Sequence, residues 1–83
     1  MTALEQRVLH IVARAAMVPR GTVTRETRLA ALDMDSLEQI ECALAVEEAF
    51  EVELGEPQLW RFRTVGDVVD AVEQAVAASR PPA

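Results

Sequence analysis

The chain has no lysine and no tyrosine, and only one cysteine, one histidine, one tryptophan, two phenylalanines and three glycines in 83 residues. Each scarcity excludes something. A lone Cys42 permits neither an internal disulfide framework nor a cysteine-based zinc site. With His10 as the only imidazole, no histidine cluster can form. No hydrophobic run approaches membrane-spanning length, and the N-terminus carries no signal-peptide pattern. A soluble, cytoplasmic protein with no membrane partner is therefore expected. No glycine-rich phosphate loop is present. Internal repeats and the two-residue alternation of strands are also missing.

What is present is acid. Fourteen Asp and Glu stand against eight basic residues, all of them Arg, for a net charge of −6. Such a surface does not suit a phosphate backbone, so nucleic acid is not an expected partner. It suits steered docking onto basic patches of other proteins, although acidity also serves solubility. The distribution is uneven: from Leu29 to Trp60 there are nine carboxylates and not one cationic side chain. The length predicts one domain over residues 1–83 with a modest core. A deep catalytic cleft with walls around it needs more chain, so a binding or carrier module, acting as a monomer, is favoured over an enzyme. Hydrophobic residues make up 51% of the chain, enough to drive folding.

The apolar spacing predicts helices throughout. Thr2 and Glu5 fit a capping box opening a helix over about residues 3–16, with Leu4, Val8, Ile11, Val12 and Ala15 on its buried stripe. Pro19 ends it. Residues 17–34 form a long connection anchored by Val18, Val23, Leu29 and Leu32, with one helical turn expected near Leu29–Leu32. A second helix is predicted from Ser36 to Phe50, with Asp35 as N-cap and Glu38 three residues on. Its sides divide into an acidic stripe (Glu38, Glu41, Ala45, Glu48), a core stripe (Cys42, Ala43, Val46, Phe50) and a further apolar strip (Leu37, Ile40, Leu44). That apolar arc is wider than one buried face needs, so the last strip is expected partly in solvent beside Ser36. Gly55 and Pro57 introduce a short helix over Pro57–Phe62, on which Trp60 is either an exposed anchor or packed on a neighbour. Thr64 and Asp67 cap a closing helix over about residues 65–78, with Val65, Val68, Val69, Val72 and Val76 on one face. Residues 79–83 read as a disordered tail.

The stretch Asp33-Met34-Asp35-Ser36-Leu37 holds the densest chemistry. As a calcium loop it fails, since the positions that need Gly and a terminal Glu hold Glu38 and Leu44. A serine hydrolase needs a base and a Gly-x-Ser-x-Gly setting, and neither is present. A carboxylate-pair hydrolase needs a cleft. What remains is a serine at a helix N-terminus, where free N–H groups and the helix dipole favour an attached anion.

Asp35-Ser36-Leu37, the acidic helix ending in Glu47-Glu48-x-Phe50 and the order of elements together resemble the acyl carrier proteins over nearly the whole chain. The resemblance implies an all-α, four-helix bundle of three main helices and one short one. It implies 4′-phosphopantetheine on Ser36, attached from coenzyme A by a Mg²⁺-dependent phosphopantetheinyl transferase (holo-carrier synthase). It implies acyl intermediates held as thioesters for fatty-acid, polyketide or related lipid biosynthesis, with no catalysis by the chain itself. Asp35, Leu37, Glu38, Ile40, Glu41, Leu44, Glu47 and Glu48 become contacts for the basic docking patches of transferase, acyl-transfer and synthase enzymes. An aminoacyl or peptidyl carrier, or a helical adaptor with no arm, are the alternatives. Two departures stand out. The family commonly has Gly where this chain has Asp33. Its short third helix is usually acidic in fatty-acid carriers, whereas here the segment reads Gln58-Leu59-Trp60-Arg61-Phe62-Arg63, which points to a specialised pathway.

Overall fold

The computed structural model describes residues 2–54 and 61–79. Within them the chain forms three α-helices: α1 (Ala3–Ala16), α2 (Ser36–Phe50) and α3 (Val65–Ser79). Short 3₁₀ turns occupy Arg20–Thr22 and Leu29–Leu32. Among the described residues there is no strand, only one isolated antiparallel bridge between Arg28 and Thr64. The predicted helix over Pro57–Phe62, with Trp60, lies largely outside the described residues, so the helices on view number three. Phe62 is described, and it packs half-buried against the core.

Each helix starts where a side chain can accept its orphan amides. Thr2 Oγ1 accepts the Glu5 N–H at 3.1 Å. The reciprocal half of the expected capping box does not form. Glu5 is buried, and its carboxylate is taken by Arg25 at 2.7 Å. At α3, Asp67 Oδ2 accepts the N–H groups of Arg63 and Thr64, both at 3.1 Å, and Thr64 Oγ1 accepts the Asp67 N–H at 3.3 Å. These N–H donors hold the Asp67 carboxyl below the usual carboxylate range, with the Arg63 charge as a smaller cause. The tail was expected to begin at Ser79. Instead α3 continues through that residue, whose hydroxyl donates to Val76 O at 3.0 Å; residues 80–83 lie outside the described part.

The core is mostly valine. Val8, Leu9 and Val12 of α1, Cys42 and Val46 of α2, and Val65, Val68, Val69 and Val72 of α3 are fully buried. Valine is a poor helix former, so burial must hold α3 in shape. The buried arc of α1 is broader than its expected stripe. Leu9 and Ala13 are inside, while Leu4, Ile11 and Ala15 sit at the margin. The reason is that α1 packs on both other helices. It runs antiparallel to α2, so that the groove between them sets Ala3 and Arg7 against Ala49, and Arg14 against Glu41.

The connection from α1 to α2 is packed rather than free. Met17 takes a left-handed conformation with φ 58°, and Val18 N–H returns to Ala13 O at 3.0 Å. Val23 is buried. The segment then pairs with the approach to α3: Gly66 N–H to Arg25 O at 2.9 Å, Val65 N–H to Thr27 O at 2.9 Å, and Leu29 N–H to Arg63 O at 3.0 Å. Glycine at position 66 eases this approach, because a Cβ there would lie 3.0 Å from Arg25 O and the two segments would have to part slightly. The Arg25 guanidinium completes the tie, reaching Glu5 Oε1 at 2.7 Å and Asp70 Oδ1 at 2.8 Å. Arg25→Met should lower the urea unfolding midpoint clearly more than Arg14→Met, because it strands the buried Glu5 carboxylate. Adding Glu5→Gln should recover part of the loss. Equal midpoints for the two single variants would show that Arg25 does not hold the loop.

Candidate functional site

Ser36 is the first residue of α2 and is exposed. Both sides of the turn that presents it are pinned. Asp33 adopts φ 59°, ψ 30°, a left-handed conformation that a non-glycine residue reaches at a cost of about 1–2 kcal/mol, least for Asn and Asp. Its N–H returns to Ala30 O at 3.4 Å. Met34, next in line, is buried in the core and anchors the turn from below. The α2 side carries a complete capping box. Asp35 Oδ1 accepts the Glu38 N–H at 2.7 Å, and Glu38 Oε1 accepts the Asp35 N–H at 3.0 Å. Gln39 adds a third fixing, with its Nε2 donating to Met34 O at 3.1 Å. Loss of such a cap typically costs about 1 kcal/mol.

This arrangement leaves a hydroxyl and an anion-favouring helix end in solvent. Ser36 Oγ has no hydrogen-bond partner among the described residues. The Asp35 carboxylate, which would oppose an anion on Ser36, is turned to its own cap. No imidazole serves the hydroxyl: His10 lines the α1/α2 groove with Ile11 and Ala45. Among the described residues, no group of three or more His, Cys, Asp or Glu side chains is placed to hold a metal ion. A free hydroxyl at the positive end of a helix, with open space around it, fits esterification by a phosphate-bearing group.

The remaining α2 positions follow two surfaces. Leu37 and Leu44 are large apolar side chains left 63% and 53% exposed, with Ile40 half-buried between them. Glu41 and Glu48 are exposed, and Glu38 is half-buried within its cap. The only ion pairs among the described residues are those of Arg25, so Glu41 and Glu48 are unpaired carboxylates there. Glu47 stands apart. It is half-buried, and its Oε2 accepts the Leu54 N–H at 2.6 Å, stapling the chain after α2. Inside, Cys42 is fully buried, and desolvation pushes its thiol up to about 11. The expected tie between Asp35 and Glu38 was written in the sequence as a cap spacing. The role of Arg25 in holding the loop that delivers Ser36 was not, since its partners lie 20 and 45 residues away.

Residues 6–72 match the family model described as the phosphopantetheine attachment site. The chain is 35% identical over 78 residues to an acyl carrier protein of Amoebophilus asiaticus (strain 5a2), covering 93% of this chain and 98% of that one. It is 36% identical over 69 residues to an acyl carrier protein of Coprothermobacter proteolyticus, covering 82% and 84%.

The burial of Cys42 has a measurable signature. An unfolded thiol ionises near pH ~8.5, whereas the folded one keeps its proton to about 11. The associated stability is therefore complete below pH ~8.5 and is lost as pH rises from there toward 11. Cys42→Ala should flatten the stability profile across that window. At neutral pH the native thiol should react with a thiol reagent at least roughly a hundredfold more slowly than the unfolded chain, from thiolate fraction alone. Prompt labelling of the native protein would contradict burial.

Proposed function

The chain belongs to the acyl carrier proteins, whose domain carries phosphopantetheine, and on that premise we propose that Ser36 Oγ is the point of attachment. The observation that supports this reading best is the position of Ser36: an exposed, unpartnered hydroxyl at the first turn of α2, inside a complete capping box. In the attachment Oγ bonds to the pantetheine-side phosphorus of coenzyme A and loses its proton, while the pyrophosphate P–O bond breaks and the nucleotide half leaves as adenosine 3′,5′-bisphosphate; Oγ becomes the ester oxygen of a phosphodiester. When bound, the arm supplies a thiol on which acyl groups are held as thioesters. The chain itself holds and presents; it does not catalyse the transfers.

Its residues divide the work. Asp35 and Glu38 hold the first turn of α2 so that the hydroxyl is offered at a fixed place. The positive end of α2 lies beneath the phosphodiester. Leu37 and Leu44, with Ile40, give a docking enzyme an apolar footing next to the attachment point. Glu41 and Glu48, with no ion pair among the described residues, attract the basic patches of transferase, acyl-transfer and synthase enzymes. The cargo is an acyl intermediate of fatty-acid, polyketide or related lipid biosynthesis. An acidic α2 and likeness to proteins named acyl carrier protein favour acyl over aminoacyl cargo.

Incubation with coenzyme A, Mg²⁺ and a broad-specificity phosphopantetheinyl transferase should add the mass of one phosphopantetheine, and Ser36→Ala should add none. Modification that survives in Ser36→Ala would refute the assignment. Glu41→Lys should slow the transferase about three- to tenfold at low salt, with the gap closing as salt screens the field. Its melting curve should stay close to wild type, since exposed charges contribute little to stability. An unchanged low-salt rate would remove α2 as a steering surface.

A further inference from the structure

The departure at Arg61-Phe62-Arg63 has a structural counterpart. Arg63 and Phe62 meet Arg28 and Ala30 around a small cavity of about 240 Å³. Resting on the reading that Ser36 bears the arm, we propose that this pocket receives the terminal carboxylate of the acyl group carried there. The preferred cargo is then a short acyl chain ending in an acid.

Three features lead to it. The first is rigidity. Arg28 and Arg63 lie on two segments locked together by the Leu29 N–H to Arg63 O bond and by the Arg28–Thr64 bridge. Their backbones are therefore fixed before any ligand arrives, and less ordering entropy is lost on binding. The second is charge. Neither arginine has an ion-pair partner among the described residues, where Arg25 holds both salt bridges. Asp67 offsets part of the Arg63 field, since it lies close enough for the arginine to favour its ionised form. The third is shape. The volume is below the usual range of about 300–1,000 Å³ for drug-sized ligands, which suits a carboxylate with a few methylenes. Ala30 and the half-buried Phe62 in the lining contribute apolar surface that suits those methylenes, and Arg28 and Arg63 in the same lining bring the guanidinium chemistry that pairs with a carboxylate.

Proximity also favours the pairing. Residues 29–35 join Arg28 to Ser36, and part of that span is a 3₁₀ turn, so the two are separated by at most on the order of 20 Å. A tethered acid reaches effective concentrations near millimolar. An exposed contact of modest strength is then sufficient. The acidic side of α2 acts in the same direction, since Glu41 and Glu48 repel an anionic cargo that a neutral chain would not feel.

The test compares two cargoes of equal carbon count. Isotope-labelled protein is loaded by the transferase from succinyl-coenzyme A or from butyryl-coenzyme A, and intact mass confirms loading. Relative to the butyryl form, the succinyl form should shift the backbone amide resonances of Ala30, Phe62 and Arg63. Those shifts should shrink at about 0.5 M salt. They should vanish in Arg28→Gln/Arg63→Gln, whose mass gain and melting curve should match wild type because both side chains are exposed. Coincident succinyl and butyryl spectra at these amides would overturn the pocket's role while leaving Ser36 intact. So would succinyl shifts that persist in the double variant. Amides that already move in the butyryl form would assign the pocket to the arm's own phosphate instead. A chain that gains no mass would defeat the Ser36 assignment and the pocket together.

Discussion

The Arg25 tie is the constraint on which the molecule's working end depends. One side chain joins Glu5 on α1 to Asp70 on α3, and the same residue's carbonyl receives the Gly66 N–H. Without that tie, the long connection from α1 to α2 keeps Val23, a few half-buried apolar contacts and the backbone bonds of Thr27 and Leu29 to Val65 and Arg63. With it, the connection runs beside the entry to α3, turns through Leu29–Leu32, and reaches Asp33 with its direction set. The placement of Ser36 therefore begins several residues upstream, in an ion-paired arginine whose guanidinium is held charged by two carboxylates.

Charge is used in two different ways in this chain. Where it is structural it is paired: Glu5 and Asp70 with Arg25, Asp67 with the amides at the start of α3, Glu47 with the amide of Leu54. Along the outer side of α2, Glu41 and Glu48 are in solvent and have no ion pair among the described residues. The cations on the other side of the Ser36 turn, Arg28 and Arg63, are likewise without an ion pair among the described residues. Along the chain the turn that presents Ser36 thus falls between the cation Arg28 and an anionic helix, so the charge around it is uneven rather than uniform.

Much of this was legible in the sequence because it is local. Asp35 and Glu38, or Thr64 and Asp67, announce helix starts through spacing alone, and the Val repeat from Val65 to Val72 marks the buried side of α3. Asp33 stands where the resembled family commonly has Gly, and it takes the left-handed conformation that a glycine reaches freely. The partial exposure of Leu37 and Leu44 followed from an apolar arc too wide for one face. What was not legible is non-local. Glu5 has the spacing of a capping-box acid but is drawn inward by an arginine twenty residues on. Leu9 and Ala13 are buried because α1 packs on two helices, which a single-stripe reading cannot anticipate. The convergence of Arg28 with Phe62 and Arg63 depends on the pairing of two loops that no sequence period encodes.

The sealed thiol of Cys42 takes on another meaning once a thioester is present nearby. Thioesters are lost to competing nucleophiles, by transthiolation to a second cysteine or by aminolysis on a lysine. Here the one cysteine is fully buried and keeps its proton to about pH 11, and the chain contains no lysine at all. Its cations are guanidinium groups, which stay protonated and do not attack acyl carbons. The carrier is thereby guarded against two routes of self-acylation: the same choice of residues that fills the core and supplies the positive charge leaves the bound acyl group neither an exposed cysteine thiol nor a lysine amine to move to.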